Sequence, residues 1–93
     1  MKAGTEEHGG VQLADVAVAL RCLVEPGLYP ADYLYELYVA TARASGNQPG
    51  SALNFAQVLG HFGCGTAIRG GQKVRMINVE RLEKNWPRLP WRA

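Results

Sequence analysis

The sequence of 93 residues lacks any long hydrophobic run. Its longest mostly apolar stretch, Val11 to Val24, is broken by Gln12, Asp15 and Arg21, whereas a membrane-spanning helix needs about 20 consecutive apolar residues. The first ten residues, MKAGTEEHGG, contain no apolar segment of the signal-peptide kind. Cysteine is scarce. With only Cys22 and Cys64 and no leader, we expect a reducing, intracellular compartment and no disulfide framework. Net charge is small at +2, and 47% of residues are hydrophobic. That balance excludes a wholly disordered chain, which needs low hydropathy and high net charge. The length is that of one small domain and leaves no room for a large enzyme with a separate substrate domain.

What charge there is lies unevenly. Residues 1–60 carry Lys2, Arg21 and Arg43 against six carboxylates, a net of −3, while residues 61–93 carry seven cations against Glu80 and Glu83, a net of +5. A basic C-terminal third favours a polyanionic partner. The plainer account is a solvated surface.

Hydrophobic spacing then organises the chain. Residues 1–10, rich in Gly, read as a flexible tail. Leu13, Val16, Ala17, Leu20 and Val24 recur every three or four residues and predict a first helix over Val11–Val24, ended by Glu25-Pro26-Gly27. A second helix is expected from Pro30 or Ala31 to Ala44, with Asp32 at its positive end and Ser45-Gly46-Asn47 as its stop. Ser51 looks like an N-cap for a third helix over 52–62, whose Asn54, Gln57 and His61 share one polar face. The period then changes. Thr66–Arg69 and Gln72–Val79 read as strands joined by Gly70-Gly71, a two-residue hairpin signal. Glu80–Asn85 reads as one helical turn. Trp86–Ala93 reads as a Pro-broken tail, either draped on the body or free to bind a partner.

The expected class is therefore α+β, with three helices followed by a β-hairpin over residues 11–85, the plan of a winged helix-turn-helix. The core is expected to hold Leu13, Val16, Leu20, Leu34, Leu37, Tyr38, Leu53, Phe55, Leu59, Phe62, Ile68, Val74 and Met76. In that plan the helix before the hairpin enters the DNA major groove, where Asn and Gln pair with adenine, and the basic hairpin reaches phosphates. Ser51, Asn54, Gln57 and His61 on the helix, with Arg69, Gln72, Lys73 and Arg75 on the hairpin, are the candidate DNA-binding residues. Duplex DNA is favoured over a single strand.

The segment Leu34-Tyr35-Glu36-Leu37-Tyr38, then Gly46, then Ser51 with Phe55, Leu59 and Gly63, then Arg69-Gly70-Gly71 and Lys73-Val74-Arg75, resembles two related winged-helix groups. One is the C-terminal domain of phage and plasmid primase-helicases. The other is the DNA-binding domain of the regulatory factor X family, with the related domain of chromatin-remodeller subunits. The resemblance spans residues 32–79. It implies DNA binding, with the hairpin carrying much of the contact in the regulatory factor X case, in a bacterial cytoplasm or a eukaryotic nucleus. The sequence departs from those groups in one respect. Residues 51–62 contain no Lys or Arg, so the hairpin, with Arg81 and Lys84, must supply most of the electrostatic attraction.

Other signals point elsewhere. His61-x-x-Cys64 lacks the paired Cys or His spacing of a zinc site, and no third residue orients it as a nucleophile pair, so no metal, cofactor or catalytic activity is expected. The glycines between 60 and 71 lack the Gly-Lys-Ser/Thr ending of a phosphate loop. Tyr33 and Tyr35, or Trp86 and Trp91, are candidates for contact with a protein partner. A protein-interaction domain within a larger nucleic-acid-associated complex is the alternative to direct DNA binding.

Overall fold

The computed structural model describes residues 6–92. They form a small α+β domain of nine elements: β1 (Glu7–His8), β2 (Val11–Gln12), α1 (Leu13–Leu20), β3 (Gly27–Pro30), α2 (Ala31–Ala44), α3 (Ala52–His61), β4 (Thr66–Arg69), β5 (Gln72–Ile77) and α4 (Val79–Asn85). Strands β1 and β2 pair as a short antiparallel hairpin, and a second antiparallel sheet has the order β3-β5-β4.

This order departs from three helices followed directly by a hairpin. A strand, β3, intervenes between α1 and α2. Gly27, expected only to end the first helix, and Pro30, expected only to begin the second, instead lie in a strand paired with β5, from Gly27 opposite Ile77 to Pro30 opposite Val74. Pro30 is tolerated because β3 is an edge strand, where a missing N–H breaks no central ladder. The first helix is correspondingly shorter than expected. It runs only to Leu20, after which Leu23 N–H bonds to Leu20 O and tucks Leu23 into the core, leaving Val24 92% exposed. A fourth helix follows the hairpin, begun by Asn78, whose Oδ1 accepts from Arg81 N–H at 3.2 Å.

Residues 6–10 are not a free tail. Gly9 and Gly10 both have positive φ, 55° and 81°, and close the β1–β2 turn, while Val11 beyond them is fully buried. The part of the expected tail before Glu6 lies outside the described residues. At the other end, Trp91 is only 3% exposed and packs edge-on against Phe62, with ring centroids 5.7 Å apart. Its indole N–H donates to Trp86 O at 2.7 Å. Arg21 Nη1 donates to Pro90 O at 3.2 Å and to Arg92 O at 2.8 Å. Residues 86–92 are thus a strap sealed over the core.

The core runs from Val11 through α1, α2 and α3 to Ile77, Leu82, Leu89 and Trp91. Expected members Leu13, Val16, Leu20, Leu34, Tyr38, Phe55, Leu59, Phe62 and Val74 are buried. Leu37 is only partly buried, and Leu53, Ile68 and Met76, expected in the core, instead face solvent at 69%, 65% and 44% exposed. On β5 alternate side chains face opposite ways, so Arg75 and Ile77 share one face, and Ile77, not Met76, joins the main cluster.

Candidate functional site

The connection between α2 and α3 sets the pose of α3. Gly46, with φ 80°, ends α2, and Asn47 N–H reaches back to Ala42 O at 2.9 Å, the usual way a helix end satisfies its free carbonyls. Asn47 Nδ2 also donates to the buried Asp15 at 2.8 Å, tying the connection to α1. Gly50 is held on both sides: its N–H donates to Tyr38 Oη at 2.8 Å and its carbonyl accepts from Tyr35 Oη at 2.9 Å. Burial pushes the Tyr38 phenol upward from its ordinary pKa, and the carboxylate of Asp15 and the neighbouring Tyr35 add to that direction against the Gly50 hydrogen bond. Ser51 then caps α3, its Oγ accepting from Asn54 N–H at 3.1 Å.

On α3 the inward face is Phe55, Val58 and Leu59, with Phe55 stacked on Tyr38 at 4.9 Å between centroids. Of the expected polar face, Gln57 is the residue that stays fully outward and uncommitted. Asn54 is half-buried and its Nδ2 donates to Gly9 O at 2.8 Å, fastening β1–β2 to α3. His61 is exposed but lies against the Trp86 ring, 5.0 Å between centroids. The outward surface of α3 is instead uncharged, with Leu53 prominent on it. With Ala56, Leu59, Tyr35 and Asp32, Leu53 lines a shallow groove bounded on the hairpin side by Lys73 and Arg75.

Near its tip the hairpin presents Arg69 and Gln72 on one face and Lys73 on the other. Arg69 pairs with Gln72 and Ile68 with Lys73, and Gly70 and Gly71, at φ 57° and 78°, form the tip. All of these residues are exposed, and none of the cations makes an ion pair among the described residues. Two positive-φ residues in a two-residue turn favour Gly, and they keep the tip free of side chains. Arg75 departs from this group. It is half-buried, and its guanidinium donates to Cys64 O at 2.9 Å and to Ala56 O at 3.2 Å. Farther along, Arg81, Lys84 and Arg88 are exposed, while Arg92 pairs with Glu83.

Cys64 is buried, and desolvation raises its thiol to about 11, with the Arg75 charge pulling the other way. A thiol so raised is a poor nucleophile at neutral pH. Cys22 is exposed. Among the described residues no group of three or more His, Cys, Asp or Glu side chains could hold a metal ion, and no helix is long and apolar enough to cross a membrane. Of the candidates for protein contact, Tyr33 is exposed, Tyr35 is half-buried with its hydroxyl bonded to Gly50, and Trp86 is half-buried. Trp91 is removed from that group by its burial in the strap.

Comparison with protein-family models, with characterised proteins and with solved structures gave no significant match.

Proposed function

We propose that this chain is a non-catalytic DNA-binding domain of winged-helix plan, acting in transcription, replication or chromatin, whose contact with DNA runs mainly through the hairpin. The observation that carries the reading is the glycine-tipped β4–β5 hairpin with Arg69 and Lys73 exposed and unpaired among the described residues. The arrangement of elements supports it. A helix, an edge strand, two helices joined by a tight connection and a hairpin follow in order, with the hairpin's second strand central in the sheet. The uncharged α3 leaves phosphate neutralisation to the hairpin, and Gln57 is the α3 side chain free to meet a base edge. Contact of this kind reads the backbone more than the sequence.

The test is fluorescence anisotropy with a mixed-sequence duplex and a matching single strand over a range of salt. Binding should favour the duplex and weaken steeply with salt. Each neutralised phosphate contributes about −0.9 to the slope of log K against log salt, so the double variant R69Q/K73Q should flatten that slope by about 2. No binding of the parent at low salt overturns the reading. The groove beside Leu53 supports a second reading, a protein-docking domain, since a large apolar side chain 69% exposed on a cation-free helix suits a protein partner better than a phosphate chain.

A further inference from the structure

Arg75 belongs by charge with Arg69 and Lys73, but its surroundings differ from theirs. A guanidinium is a planar fork of five N–H donors suited to bridging oxygen acceptors. Here Nη1 bonds to the carbonyl of Cys64, in the loop after α3, and Nη2 to the carbonyl of Ala56, within α3. One side chain from the middle of β5 therefore clasps one carbonyl of the neighbouring helix and one of the loop at its exit. The fork lies beside Gly60, where an added Cβ would make only ordinary van der Waals contact with Nη1, at 3.9 Å. Arg69 and Lys73, nearer the tip on the same two strands, make no such bonds among the described residues.

We propose that Arg75 is a positioning residue that latches the hairpin to α3 and so fixes the angle at which Arg69 and Lys73 meet a DNA backbone, without touching the DNA itself. The latch stands on its own geometry. Its consequence for affinity rests on the DNA-binding reading.

The experiment compares the parent with R69Q, K73Q, R75M and R75K, by duplex anisotropy across salt and by amide hydrogen exchange of the free protein. Replacing Arg69 or Lys73 should each lower the salt slope by about 0.9. R75M should lose several-fold in affinity at every salt concentration with the slope unchanged. R75K keeps the charge but cannot fork across two carbonyls, so it should not restore affinity. In both Arg75 variants, amides of residues 66–77 should exchange faster while α1 and α2 keep their protection. A slope lowered by about 0.9 in R75M and restored in R75K makes Arg75 a phosphate contact and overturns the proposal. Unchanged exchange in the hairpin overturns the latch. A parent that binds no duplex ends the DNA-binding reading and the consequence drawn from it, while the exchange measurement still decides the latch. Should R75M fail to fold, the milder R75K carries both readouts.

Discussion

Gly50 shows how much one residue can hold without a side chain. Tyr35 and Tyr38 grip its carbonyl and its N–H, and a Cβ added there would come within 2.5 Å of Val11 Cγ2 and 3.2 Å of the Gly10 backbone. Overpacking of this kind costs about 1–3 kcal/mol. Gly50→Ala should therefore lower the denaturant midpoint by a matching amount, and a variant with the parent's midpoint would show that Val11 moves aside freely. In the sequence Gly50 is only a turn residue after Pro49. Its packing role depends on Val11 and two tyrosines brought in from distant parts of the chain, and local pattern does not encode such meetings. The same reason separates Arg75 from Arg69, and Asn54 from Gln57. Residue type reveals the donor, but the acceptors, the carbonyls of Ala56, Cys64 and Gly9, arrive through the tertiary fold.

Among the elements, those with chemical punctuation were legible. Pro30 before α2, Gly46 after it and Ser51 before α3 place three helix boundaries to within a residue, because each acts locally on φ or on a free backbone group. Gly70-Gly71 likewise placed the hairpin tip. Strand β3 was not legible, since four residues containing a Pro look like a turn until β5 supplies their partner. Nor was the inward face of β5, because Val74, Met76 and Ile77 put apolar side chains on both faces and parity alone cannot choose. For residues 86–92 the sequence alone does not choose between a draped and a free tail. The burial of Trp91 against Phe62 makes the strap structural, and removing a buried aromatic side chain costs about 3–5 kcal/mol. Trp91→Ala should lower thermal stability accordingly, by calorimetry. A loss below about 1 kcal/mol would show that the strap lies outside the cooperative unit.

For the molecule as a whole, the α+β class followed from the change of period after Gly63, whereas the order of elements needed the long-range pairing of β3. Two buried acids give the whole domain a pH response. Burial raises both the Cys64 thiol, to about 11 from an ordinary 9.0, and the Tyr38 phenol. The unfolded chain sheds these protons first, so folding holds more protons than unfolding and stability falls as pH rises through the unfolded values. The thiol contribution is fully present below pH 9 and is lost as pH passes from there to about 11. Denaturant midpoints measured from pH 8 to 11 should decline, and Cys64→Ala should show a shallower decline. An identical decline in that variant would remove Cys64 from the account.

The strap also decides what an optical probe sees. Trp86 and Trp91 are the only tryptophans of the chain, and both lie in it. Intrinsic tryptophan emission therefore watches the covering of the core, while far-ultraviolet dichroism watches the helices beneath. Superimposed melting curves from the two signals would mean that lid and body come apart in one event, and an earlier fluorescence transition would mark a domain that opens before it unfolds.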